Sequence, residues 1–268
     1  MQTIQYQGIQ FKNNNNQLKN DDLLVEAALQ ININNKAYTV VMRTPGNDFE
    51  LVRGLLFAED IYKEDSTLDI EVLENENSIP TIINVSIAKE NLGKGYLNKR
   101  TLLSVSSCGI CGKTSLKDLQ TSGTKIDHDK QLDVTSIFNL MNEMSSLQKC
   151  FQKTGGSHAA AAFTSQQQLL SVKEDIGRHN AVDKIVGDLL IKKKLKDASI
   201  LLVSGRVSYE IVSKAFIAKI PIIVAVSACS SLAVDFAKEF GICLIGFTRQ
   251  NKLTIYSNPN YVKNFEYV

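Results

Sequence analysis

Two cysteines three positions apart, Cys108 and Cys111 in "SSCGICGK" (106–113), are the residues of this chain best suited to covalent chemistry. Such a pair has four possible uses: half of a metal site, a reversible dithiol, a carrier of sulfane sulfur, or small residues in a tight turn. A structural zinc asks for four ligands, usually two such pairs, and the chain has one. Its other cysteines, Cys150, Cys229 and Cys243, read as small buried residues on a helix, at a strand end and within a strand. A zinc deaminase needs His-X-Glu and Pro-Cys-X-X-Cys. The histidines here read His128-Asp-Lys, His158-Ala-Ala and His179-Asn-Ala, and Ser107 precedes Cys108, which excludes that chemistry in its usual form. A redox dithiol would gain from a helix starting near Lys113, which lowers a thiol pKa, but the order of elements is not a compact thioredoxin unit. Sulfur carriage asks for an accessible thiolate, pliant glycines such as Gly109 and Gly112, and a second thiol to release the sulfur or resolve the persulfide. Cysteines exposed in a loop without a use would be an oxidation liability. These residues by themselves leave redox and sulfur transfer side by side.

The elements around the pair fall into two patterns. Ahead of it, "AYTVVMRT" (37–44) reads as a strand ending at the Pro45-Gly46 turn, and Asn47 with Glu50 reads as the capping box of a helix. "TIINVSIA" (81–88) alternates as a half-buried strand. Behind the pair, Val134, Ile137, Leu140, Met141, Met144 and Leu147 recur at helical spacing. Short apolar strands, "SILLVSG", "PIIVAVSA" and "ICLIGFTR", then alternate with helices, which predicts a mainly parallel sheet covered on both faces. Ligands of such sheets bind beyond the carboxyl ends of the strands. Those ends carry Ser204-Gly205-Arg206, Ser227 through Ser231, and Gly246-Phe247-Thr248-Arg249. Arginines, hydroxyls and helix N-termini on one edge suit an anionic or phosphorylated ligand; tight turns with solvated arginines are the plainer account.

Composition sets the outer bounds. The chain has 268 residues, 44% hydrophobic and 22% charged, with a net charge of +2. This is the balance of a globular protein and gives no reason to expect nucleic acid or a membrane surface as partner. No apolar run has the length of a spanning helix, the N-terminus lacks the pattern of a secretory signal, and five cysteines disfavour a disulfide framework. The expected address is the cytoplasm. The first two dozen residues, with Asn13–Asn16, read as a flexible arm or a small edge hairpin.

Several long blocks carry a resemblance. "SSCGICGK", "TGGSHAAAAF", "EDIGRHNAVDKIVG", "SGRVSYEIVSKA", "VSACSSLAVDFA" and "GFTR", in that order, with "RTPGNDFELVRGLLFAEDI" ahead of them, are similar to the FdhD family of formate dehydrogenase accessory sulfurtransferases over roughly residues 23–257. The resemblance implies a carrier that accepts sulfur from a cysteine desulfurase. It would pass the sulfur to the bis-molybdopterin guanine dinucleotide molybdenum cofactor of formate dehydrogenase. It further implies Cys108 as the persulfide-bearing residue and Cys111 as its partner. The cofactor would meet Phe247, Thr248, Arg249, Gln250, Asn251 and Lys252, the stretch that begins at one of the strand ends named above. In that light Arg206 and Arg249 are expected on pyrophosphate or nucleotide, and Ser230 and the Arg178-His179 pair beside a helix N-terminus join them as cofactor-binding residues. The helix is expected to be capped by Asn180, and His158 is weighed between a core and a pocket-lining role. Cys229 stands where the family pattern leads one to expect proline.

The expected architecture is α/β: a small N-terminal α+β unit followed by a cytidine-deaminase-like α/β domain without the zinc ligands. The expected divisions are an arm over 1–24, the first unit over 25–120 ending in the cysteine loop, and the cofactor-binding domain over 121–268. A homodimer is implied by the family. The competing functions are a chaperone that only holds the cofactor and a dithiol oxidoreductase.

Overall fold

The computed structural model describes residues 2–97, 123–127, 129 and 131–263. Cys108, Cys111, the helix start weighed near Lys113, and the division expected at 120 lie outside those residues.

The chain opens with β1 (Thr3–Lys12) and β2 (Asn15–Leu24), an antiparallel hairpin; of the two forms weighed for this segment, it takes the hairpin. β3 (Ala27–Ile33), β4 (Lys36–Arg43), α1 (Asp48–Ala58), β5 (Asp69–Glu76) and β6 (Ile79–Ser86) build the first unit, a sheet of order β4-β3-β6-β5. Leu51, Val52, Leu55 and Leu56 of α1 form one core with Leu29, Ile31, Ile33, Ile83 and Val85. Three of these hairpins turn through a pair of residues with positive φ: Asn13-Asn14, Asn34-Asn35 and Asn77-Ser78. Two-residue turns need that left-handed backbone, and asparagine tolerates it better than most side chains.

The second unit follows as β7 (Leu132–Asp133), α2 (Val134–Ser146), α3 (Lys149–Thr154), β8 (His158–Phe163), β9 (Leu169–Asp175) and α4 (Arg178–Ile191). It continues as β10 (Ile200–Val203), α5 (Tyr209–Ile217), β11 (Ile222–Ala225), α6 (Ser231–Phe240), β12 (Cys243–Arg249), β13 (Lys252–Ser257) and β14 (Val262–Lys263). Its main sheet has the order β13-β12-β11-β10-β8-β9. Only β10–β11 and β11–β12 pair in parallel, whereas β8–β9, β8–β10 and β12–β13 are antiparallel. The sheet is therefore mixed, not mainly parallel. β8–β9 and β12–β13 are joined by short turns, and strands joined that way can only run antiparallel. The parallel part is confined to the β10-α5-β11-α6-β12 crossovers.

Both faces of this sheet are buried. Val182, Ile185, Val186 and Leu189 of α4 pack on one side with Leu201, Val203, Ile223 and Leu244. Ile137, Leu140, Met141 and Met144 of α2 pack on the other with Ile200, Leu202, Val224 and Ile245. The two units meet where α1 crosses α4. Gly54 faces the carbonyl of Asp183 and Gly187 faces the carbonyl of Glu50, each so closely that a methyl group would overlap the opposite backbone.

Two expected caps differ. Asn47 stands at the N-cap of α1 with φ 58° and caps no backbone N–H; its amide donates to Glu50 Oε1 instead, at 2.7 Å. The N-cap of α4 is Gly177, and Asn180 lies inside the helix. The Asn180 amide donates to Met42 O at 2.8 Å and to Asp175 Oδ1 at 2.9 Å. A long-range contact has claimed the side chain that local pattern assigned to capping.

Candidate functional site at the carboxyl edge of the sheet

The site is built from segments that five strands deliver to one edge. β10, β11 and β12 end there, and His158 at the start of β8 pairs with Asp175 at the end of β9 on the same side. The loops are stitched to each other. Val207 N–H donates to Ala228 O at 3.0 Å, Ser230 N–H to Val207 O at 2.9 Å, and Phe247 N–H to Ser227 O at 3.0 Å. Ser204 Oγ accepts from Ala159 N–H at 2.8 Å, tying the β10 loop to β8. Helices α4, α5 and α6 begin just beyond, so their N-terminal N–H groups add partial positive charge at this edge.

Phe247 has φ 52° and is 41% exposed. A bulky residue held in the left-handed region next to a bulge is uncommon and costs roughly 1 kcal/mol or more. The bulge lies between Gly246 and Arg249 in the β12–β13 pairing. Thr248 is 3% exposed, and its Oγ1 has no hydrogen-bond partner among the described residues. Gln250 and Asn251, with φ 53° and 57°, make the tight turn, leaving Arg249 and Lys252 exposed as a cross-strand pair. The stretch 247–252 thus stands as one presented ribbon.

Arg178, the first residue of α4, is half-buried, and its Nε lacks a partner among the described residues. Arg206 is exposed on the loop after β10. Neither they nor Arg249 and Lys252 have a carboxylate partner among the described residues. Gly205 sits between these groups. A Cβ there would lie 3.1 Å from His158 Nδ1 and 3.4 Å from Arg178 Cβ, so the imidazole and the arginine stem both border it. Burial pushes the His158 imidazole below its ordinary pKa, and Arg178 and Arg206 push it the same way against the pull of Asp175. His158 therefore belongs to this cluster, although its small-residue surroundings in sequence gave equal reason to place it in the core.

Other predicted residues are placed differently. His179 is buried, with Nε2 3.1 Å from Ser208 Oγ and 3.2 Å from Glu210 Oε2; the structure turns it inward. Ser230 is the exposed N-cap of α6, and its Oγ accepts from Ala233 N–H at 3.3 Å. Cys229 lies under the ribbon, with its Sγ 3.0 Å from where a Gly246 Cβ would be, and burial pushes its thiol up to about 11. Cys243, inside β12, is pushed up to about 12 by burial. Both thiols are protonated at neutral pH and are poor nucleophiles.

An edge of cations, helix N-termini and a presented aromatic can hold an anionic ligand with a planar group. No helix among the described residues is long and apolar enough to cross a membrane. In overall fold the chain resembles the crystal structure of a candidate formate dehydrogenase accessory protein from Desulfotalea psychrophila, with a TM-score of 0.76 at 20% identity, covering 98% of this chain and 100% of that one. In sequence it is 42% identical to the "Sulfur carrier protein FdhD" of Sulfolobus acidocaldarius, over 90% of this chain and 91% of the relative. It is 44% identical to the protein of the same name from Thermoplasma acidophilum, over 83% and 78%. A sequence model of the FdhD/NarQ family matches residues 24–263, and on these grounds the chain belongs to the FdhD/NarQ family.

Proposed function

We propose that the protein is a cytoplasmic sulfur carrier for the maturation of formate dehydrogenase. The observation that carries this reading is the Cys108–Cys111 pair in a chain whose relatives at 42% and 44% identity are named sulfur carriers. In the first step the Cys108 thiolate attacks the terminal sulfur of a cysteine desulfurase persulfide. The donor's S–S bond breaks, its cysteine leaves as a thiolate, and Cys108 holds the sulfane sulfur. In the second, the Cys111 thiolate attacks Cys108 Sγ, a Cys108–Cys111 disulfide forms, and hydrosulfide leaves toward the acceptor. An external thiol reductant then restores the pair.

The acceptor on this reading is the bis-molybdopterin guanine dinucleotide cofactor, bound as cargo. Arg178, Arg206, Arg249 and Lys252 would face its phosphates, and Phe247 would stack on its base. The cations without a carboxylate partner among the described residues, and the strained, exposed Phe247, support that assignment. Division into units at 25–120 and 121–268, a deaminase-like architecture in the second, and a homodimer belong to the same reading.

Intact-protein mass spectrometry after incubation with a cysteine desulfurase and cysteine tests it. The wild-type protein should gain at least one reducible sulfur atom, and Cys108→Ser should gain none. Cys111→Ser should load and then fail to release. No gain by the wild type, with the cofactor still bound, would leave a chaperone as the function.

A further inference from the structure

We propose that His158, Arg178 and Arg206 form one seat for a phosphoryl-class dianion and that the His158 imidazole takes up a proton as the anion arrives. The inference rests on reading this edge as the cofactor seat, and it adds the residue that senses occupancy.

The geometry begins at Gly205. The His158 ring and the Arg178 stem both border its bare Cα, 3.1 Å and 3.4 Å from where a Cβ would stand, and Arg206 follows it directly. Three nitrogen-bearing side chains from β8, α4 and the β10–α5 loop therefore converge beside the first turn of α4. The buried Arg178 Nε has no partner among the described residues. An unpaired buried guanidinium nitrogen is costly unless something accepts from it, and an anion at the mouth of α4 would do so.

The charged groups facing His158 explain why a proton should move. Arg178 comes from α4 and Arg206 from the loop after β10, and both oppose a charged imidazole. Among the described residues Asp175 on β9 is the carboxylate that favours it, but Asp175 is already committed. It pairs with Lys184 at 2.7 Å and accepts from Thr44 N–H, Gly177 N–H and the Asn180 amide. Glu174, opposite Ala159, is likewise held by the Ser157 hydroxyl and the N–H groups of Cys150 and Phe151. Two cations thus stand beside an imidazole whose charged form they disfavour. A dianion between the arginines cancels their repulsion and favours imidazolium, which then donates a charge-assisted hydrogen bond of its own. Affinity should accordingly rise as pH falls through the titration range of the occupied site.

Sulfate is the probe, because its own charge stays fixed between about pH 6 and pH 8, where histidine titrates. NMR of the ring resonances of the three histidines, assigned by loss of one set in His158→Gln, reads the titration directly. Sulfate should raise the His158 midpoint by about one pH unit or more. Arg206→Ala should raise the midpoint in sulfate-free protein, by removing a repelling charge, and shrink the response to sulfate. His158→Gln should weaken sulfate about fivefold near pH 6 and hardly at all near pH 8. A midpoint indifferent to both sulfate and Arg206→Ala, unchanged sulfate affinity in His158→Gln near pH 6, or no sulfate binding at any pH would overturn the proposal. Persulfide loading of the same variants separates the two readings. Full loading with an unresponsive His158 defeats this inference alone, and a responsive His158 without loading defeats the carrier alone.

Discussion

Phe247 shows what the site costs at the scale of one residue. Its φ of 52° is a conformation that glycine adopts freely and phenylalanine does not, and at 41% exposure the ring gains only part of the burial that usually offsets strain. Strained residues of this kind cluster at active sites and ligand clamps. Replacing Phe247 with Gly should leave stability in urea unchanged or raise it by up to about 1 kcal/mol, because relief of strain opposes the entropy that glycine loses on folding. The same variant should bind guanosine diphosphate, the nucleotide fragment of the proposed cofactor, about tenfold more weakly by calorimetry, the usual worth of an aromatic stacked on a base. A clear loss of stability with no loss of affinity would mean that the ring is a packing residue. Cys229 is the opposite case. It lies close to the ribbon, yet burial keeps its thiol protonated, so proximity by itself does not make it a third carrier.

Among elements, α4 decides where the site residues stand. It is buried along nearly its whole length although it carries Asn180, Asp183, Lys184 and Asp188. Its contact with α1 is close enough that Gly54 and Gly187 are required on steric grounds. Gly187→Ala should destabilise the protein by about 3 kcal/mol, since the added methyl must push the α1 backbone away; chemical denaturation measures it, and a cost below about 1 kcal/mol would mean that the helices part without strain. Neither glycine is conspicuous in sequence, because nothing local marks a helix crossing. The α/β alternation was legible, since short fully apolar strands such as β10 and β11 are separated by amphipathic helices. The antiparallel β8–β9 flank was not, because the turn that joins those strands, residues 164–168, carries no glycine or proline. At the edge, Arg206 and Gly246 through Arg249 were legible from their positions after strands, whereas Gln250, Asn251 and Lys252 rested on the family resemblance and Arg178 on its place beside a helix N-terminus. The different placement of His158 and His179 was not: Ser208 and Glu210 hold one ring inward, and the other borders Gly205.

At the scale of the whole molecule, a buried polar seam makes the two units one body at the corner that carries Arg178. Thr44, between β4 and α1, donates its N–H to Asp175 Oδ2 at 3.1 Å, and its Oγ1 accepts from Ile176 N–H at 3.1 Å. Lys184 Nζ donates to Thr44 O at 2.8 Å while pairing with Asp175, with both side chains fully buried. A buried ion pair is weak evidence of net stabilisation, but breaking it from one side is expensive because the remaining charge is stranded. Lys184→Met should therefore cost about 3–5 kcal/mol, and adding Asp175→Asn should recover a good part of it. Where the loss appears matters more than its size. If the seam couples the units, hydrogen exchange in Lys184→Met should accelerate in both the β3–β6 sheet and the β8–β13 sheet, because opening either removes the partners of the other. Acceleration confined to the second sheet would show that the first unit stands independently and that the β9–α4 corner is held by its own domain alone. Coupled opening would instead mean that a contact made by Thr44, far from the anion seat in sequence, helps fix the position of Arg178 above it.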